Sequence, residues 1–197
     1  MKKLLIALIL LFSVQLGAQT KDVADAVKAF EKAKSDSQNP KRAENPLTWT
    51  RLASAYATVY DAPIKALFLN AARMEIKLLL KDQRIVSTEE VVIAGVNYTV
   101  DVFTDKRLYY AENGELVAWE ITNKYVNEDL LSESLKALDK AIELDPKGSR
   151  TKEITDQLNS LKNRFFNEAM SSYALGNFKE SSVSFEKAAE IGAHKFV

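Results

Sequence analysis

Apolar residues recur along this chain first at helical spacing, then at alternating spacing, then at helical spacing again. Val23, Val27, Phe30 and Ala33 share one face of a helix predicted over 22–36, and Ser37-Gln38-Asn39-Pro40 ends it. A polar linker over 41–45 leads to Asn45-Pro46, a capping residue with proline in the first turn, which predicts a helix over 47–60. Asp61-Ala62-Pro63 repeats that signal. Ile64, Leu67, Phe68, Ala71 and Met74 then predict a strongly apolar helix over 64–80. Between 90 and 119 Val, Tyr, Phe and Thr take over, the residues that suit a pleated surface. Residues 91–93 and 96–103 flank Ala94-Gly95 as a hairpin. In its second arm Tyr98, Val100 and Val102 alternate with Asn97, Thr99 and Asp101, as in a half-buried strand. A second hairpin joins 107–111 to 115–121 through Glu112-Asn113-Gly114, because Asn-Gly tolerates the positive φ of a tight turn. The expectation is a small antiparallel meander of three or four strands. Helices follow over 123–144, stopped by Asp145-Pro146-Lys147-Gly148, over 151–174, and over 178–191 after the turn Gly176-Asn177.

Three of these helices carry a small residue, a large apolar residue four positions later and a small residue three after that. Ala26, Phe30 and Ala33 fit, as do Ser134, Leu138 and Ala141, and Ser181, Phe185 and Ala188. Leu144-Asp145-Pro146 closes the second set. Trp49, Leu52, Ala53 and Tyr56 form a complementary pattern on an earlier helix, and Phe165, Ala169 and Tyr173 a looser one. The chain thereby resembles the tetratricopeptide repeat family, in which small residues let paired helices approach and aromatic residues fill the space between them. It is similar in general plan to exported tetratricopeptide proteins of Bacteroidetes-type bacteria. The resemblance implies a mainly α fold, antiparallel helix pairs in an α-solenoid with a small antiparallel β-meander insert. It divides the chain into N-terminal helices over 19–85, the insert over 86–122 and C-terminal helices over 123–197. It also implies a concave groove that takes an extended peptide or a helix. Mapped onto this chain, Thr50, Ser54, Asn123, Phe166 and Met170 are the candidate groove residues. Trp119 falls on that face too, and of these positions Asn123 alone suits a carboxylate clamp. A final apolar helix without a polar capping helix leads to the expectation that the array continues beyond residue 197, an end that docks on a partner being the alternative.

The first residues change the picture of where the protein acts. Lys2 and Lys3 precede an apolar run over 4–12, and Leu16-Gly17-Ala18 offers small residues for cleavage ahead of Gln19. The run is shorter than the roughly 20 residues that span a bilayer. It reads as a signal peptide over 1–18 removed after Ala18, an uncleaved anchor being the alternative. The expected location is periplasmic or secreted, with the membrane met only through the transient leader. The chain has no cysteine, which rules out disulfides, thiolate nucleophiles and lipoprotein processing.

Composition narrows the chemistry. Lys plus Arg and Asp plus Glu number 27 each, so no basic excess points to nucleic acid. His194 is the only histidine and lies beside Lys195 near the end. With six glycines and none of the phosphate-loop, nucleophile-elbow or EF-hand spacings, no catalytic residue, metal ligand or cofactor is assigned. The partner expected is another protein or peptide of the cell envelope. Two rivals stand beside that expectation. One is the N-terminal accessory region of an envelope enzyme. The other is a small-ligand or glycan-binding module on the β segment, using Tyr109 and Trp119.

Overall fold

The computed structural model describes residues 21–65 and 67–193. The leader read over 1–18 and His194 lie outside the described residues. Helix α1 spans Lys21–Gln38, α2 is the single turn Pro40–Ala43, and α3 spans Pro46–Asp61. Both prolines begin helices, where their missing N–H is no loss. Asn39 and Asn45 cap them by accepting from Lys41 N at 3.0 Å and Leu47 N at 2.9 Å. A 3₁₀ turn Ala62–Ile64 and the short helix α4, Arg73–Leu79, follow. The sheet comes next: β1 Ser87–Ile93, β2 Val96–Val102, β3 Lys106–Tyr110 and β4 Leu116–Ile121. Helices α5 Leu130–Glu143, α6 Thr151–Ala174 and α7 Phe178–Ala193 complete the chain.

The sheet is an antiparallel meander in the order β1-β2-β3-β4. Ala94 and Gly95 both take positive φ, 50° and 82°, as a two-residue hairpin turn requires. At the β3–β4 pair Tyr109 faces Ala118 while Tyr110 faces Leu116, so Val117 is an extra residue. This bulge lets Leu116 and Trp119, three apart, point to the same side. On that side Phe103, Leu108, Tyr110, Leu116 and Trp119 pack with Ile64, Ile76 and Leu80. On the other, Tyr98, Val100, Tyr109 and Ala118 pack toward Ala174 and Leu175 at the end of α6, where the Tyr98 hydroxyl donates to Ala174 O at 3.1 Å.

Both faces of the sheet are therefore covered, and this corrects the expected fold class. The described residues are 59% helical and 16% strand, an α+β fold and not a mainly α solenoid with an insert. The reason is burial: the meander carries two apolar faces and has to place a helical layer on each. The predicted helix over 64–80 is corrected with it. Asn70 N donates to Leu116 O at 2.8 Å, Leu116 N to Ala71 O at 2.9 Å and Arg73 N to Gly114 O at 2.9 Å. Pairing with β4 takes up this backbone, so only α4 remains helical. Asp101, expected on a wet face, is buried. Burial would raise its carboxyl, but hydrogen bonds from Arg73 Nε at 2.9 Å and Thr88 Oγ1 at 2.8 Å hold it below its ordinary range.

The larger core lies among α1, α3, α5, α6 and α7. Phe30 meets Tyr56 with ring centroids 4.9 Å apart. Leu52, Leu138, Leu158, Leu161 and Phe165 are buried around them, each contributing roughly 1.5–3 kcal/mol. Two buried serines at small-residue positions hold helices together in the same way. Ser134 Oγ on α5 donates to Ala53 O on α3 at 3.0 Å, and Ser181 Oγ on α7 donates to Ala169 O on α6 at 2.9 Å. The pairs α3/α5 and α6/α7 are thus aligned by an identical contact.

Candidate binding cleft

That alignment sets Phe165-x-x-Glu168-Ala169-x-x-Ser172 of α6 against Trp49-x-x-Leu52-Ala53-x-x-Tyr56 of α3. Leu52 and Tyr56 are buried in the larger core, where Tyr56 meets Phe30 of α1. The corresponding positions on α6 hold a carboxylate and a small hydroxyl, and both line a cleft of about 620 Å³. Its walls come from three layers. Val59 and Tyr60 at the end of α3 form one wall, and Trp119 to Ile121 of β4 form another. The third is α6 with Glu168, Ser171, Ser172 and Leu175.

The loop 122–129 closes the rim. A helix over 123–144 was expected, but the helix begins at Leu130, after Asp129 caps it by accepting from Ser132 N at 3.1 Å. The loop is pinned at both ends. Thr122 N donates to Asp105 O at 2.9 Å and the Tyr125 hydroxyl to Asp105 Oδ2 at 3.2 Å, while Glu128 accepts from the Tyr56 hydroxyl at 2.7 Å and pairs with Lys34. Asp105 itself is buried beside Lys106, whose Nζ donates to it at 3.0 Å. Tertiary hydrogen bonds outweigh helix propensity here and leave the cleft open.

Glu168 is the electrostatic centre of the site. It has no hydrogen-bond partner among the described residues. Burial, and then the neighbouring charge of Asp129, push its carboxyl up to about 7. Burial also raises the Tyr60 hydroxyl, and the charge of Glu168 adds to that. Ser171 is 4% exposed and its Oγ has no partner. Leaving such a buried hydroxyl unsatisfied costs about 1–3 kcal/mol. The outer end of the wall is fixed by Arg164, whose Nε donates to Asp61 Oδ1 at 2.9 Å and ties α6 to the end of α3.

The five residues predicted from sequence are not gathered in one place. Asn123 lines the cleft. Thr50 is fully buried on α3, its hydroxyl donating to Leu47 O at 3.2 Å, and Ser54 is exposed on the same helix. Phe166 and Met170 are 49% and 38% exposed on α6. Each is two residues from Glu168, about 200° around the helix axis, and Phe166 packs edge-to-face on Phe185 of α7 with centroids 5.7 Å apart. Trp119 does line the cleft, whereas Tyr109 packs on the opposite face of the sheet and its hydroxyl donates to Glu120 at 3.0 Å. Sequence reasoning missed Glu168, Ser171 and Ser172. The signal was present as a charged residue at a position that the small-residue frame makes apolar.

Among the described residues no group of three or more His, Cys, Asp or Glu is arranged to hold a metal ion, and no helix is long and apolar enough to cross a membrane. No family model, curated protein or solved structure matches the chain.

Proposed function

We propose that this chain is an exported, non-catalytic binding protein that recognises another protein or peptide of the cell envelope through the cleft between α3, β4 and α6. The observation that carries the reading is the presence on one wall of Glu168 and Ser171, a half-buried carboxylate and a buried hydroxyl, each without a hydrogen-bond partner among the described residues. A folded chain keeps such groups unsatisfied at a cost, and a bound partner satisfies them. Export rests on Lys2, Lys3, the apolar run over 4–12 and the small residues before Gln19. A relationship to the tetratricopeptide repeat family belongs to the same reading and is supported by the equivalent contacts of Ser134 and Ser181.

The test is crosslinking in cells with affinity capture of the tagged, exported protein. Ser172→Tyr places at the cleft the residue that fills the corresponding space in α3. The expected result is an envelope protein captured by the parent, lost with Ser172→Tyr and kept with Phe166→Asp/Met170→Asp, all three folded. Capture that survives Ser172→Tyr overturns the assignment of the cleft.

A further inference from the structure

We infer that the cleft takes a basic side chain of the partner, a lysine ammonium or an arginine guanidinium, with Glu168 as its counter-ion and the Ser171 hydroxyl as a second acceptor. The inference rests on the cleft being the recognition site and adds the chemistry of what enters it.

The first ground is charge. Glu120, Glu128, Asp129 and Glu168 line the cleft, against Lys124 alone among its basic residues. An anionic group entering would meet four carboxylates, which excludes it. Three of those carboxylates already have partners within the protein. Glu128 is held by Lys34 and Tyr56, Asp129 by the Ser132 amide, and Glu120 by the Tyr109 hydroxyl. Glu168 is the one left over.

The second ground is independent of the acidic residues. Ser171 Oγ is buried and unpartnered on the same wall. An apolar ligand would cover Glu168 and satisfy neither it nor Ser171. A neutral amide could bond both, yet would leave the carboxylate charge unbalanced in a poorly hydrated place. An ammonium or guanidinium meets both needs, since each is a multiple donor carrying a positive charge. The third ground is the aromatic wall. Trp119, Tyr60 and Tyr125 line the cleft, and aromatic faces attract a cation once water is displaced.

Protonation then governs occupancy. Tyr60 on α3, Glu120 on β4, and Lys124, Glu128 and Asp129 on the loop leading to α5 share the cleft with Glu168, and Arg164, one turn earlier on its own helix, is engaged by Asp61. Glu168 carries a proton below about 7 and a charge above it. A cation therefore binds more tightly as pH rises through that value.

The experiment follows the Trp119 indole N–H by NMR in the described protein without its leader. The probes are acetylated and amidated Gly-Lys-Gly, Gly-Arg-Gly, Gly-Gln-Gly and Gly-Glu-Gly, first at about pH 8. The expected result is a saturable shift with the Lys or Arg peptide and affinity at least about tenfold above the Gln peptide. Glu168→Gln, whose spectrum reports that it is folded, should lose about that factor. The parent should weaken toward about pH 6, and the variant should not. If the Gln or Glu peptide shifts Trp119 as strongly, the cationic inference is overturned while the cleft stands as a recognition site. If no peptide shifts Trp119 but envelope capture still depends on Ser172, the cationic inference again fails alone. If capture is also indifferent to Ser172→Tyr, the cleft reading fails with it.

Discussion

The pairs α3/α5 and α6/α7 are joined by the same serine-to-carbonyl contact, yet the frame positions of α3 are filled core while those of α6 line a cleft. In α3/α5 the frame positions hold Leu52 and Tyr56, and Tyr56 packs on Phe30 while its hydroxyl reaches Glu128. In α6 the same positions hold Glu168 and Ser172, which line the cleft that α6 forms with the end of α3 and with β4. Outward-facing residues differ in the same sense. Phe166, Tyr173, Phe178 and Val183 are each about half exposed or more on α6 and α7. Backbone geometry is set by the small residues and the serines, whereas two substitutions within that geometry decide whether the space is core or site.

The largest way to break this equivalence is Leu52→Glu. It imposes the α6 residue on α3, where the side chain of Leu52 is buried in the core. Loss of about 3–5 kcal/mol is expected in urea unfolding, as for an uncompensated buried charge. A loss no greater than that of a surface change would mean that Leu52 is not part of the core. Removing the charge from α6, Glu168→Gln, should stabilise the protein by about 1–3 kcal/mol at about pH 8. The sign follows from the raised pKa. Below its unfolded value of 4.5 the carboxyl is protonated in both states and carries no penalty, and above about 7 the folded state bears all of it. Parent stability therefore falls as pH rises through that window, and the variant removes this component of the fall. Unfolding midpoints at the two ends check it.

Ala188→Leu should overpack α6 against α7 and lower stability by about 1–3 kcal/mol, since Ala188 is buried at the position that Ala141 holds on α5. The smallest effects are the most diagnostic. Ser134→Ala and Ser181→Ala should each cost about 1 kcal/mol and by similar amounts, because each removes one buried hydrogen bond to a carbonyl. Clearly unequal losses would break the alignment of the two pairs.

The local layer of this fold was readable in the chain. Asn45-Pro46, Ala94-Gly95 and Gly176-Asn177 mark turns and caps through short-range sterics and hydrogen bonds, and the structure places them there. The helix over 151–174 and the meander follow from periodicity. What could not be read was set by distant partners. The apolar run over 64–80 looks helical alone, and Leu116 takes its backbone into the sheet. Residues 123–129 have no reason to leave a helix until Asp105 and Tyr56 bind them. Asp101 looks wet until Arg73 covers it. The cleft shares this character. Its wall residues are scattered along the chain from Val59 to Asn177, and the contact of Ser181 with Ala169 fixes the frame in which Glu168 takes the place of Leu52.

Whether the cleft is an unfilled core position kept for a basic side chain is decided by urea unfolding midpoints with and without the Gly-Lys-Gly peptide. The parent is compared with Glu168→Leu/Ser172→Tyr, which restores the α3 pattern. A ligand that binds only the folded state raises the midpoint by mass action. The peptide should raise the parent midpoint, and the double variant should have a higher midpoint that the peptide leaves unmoved. A double variant less stable than the parent, or one that still responds to the peptide, would contradict it.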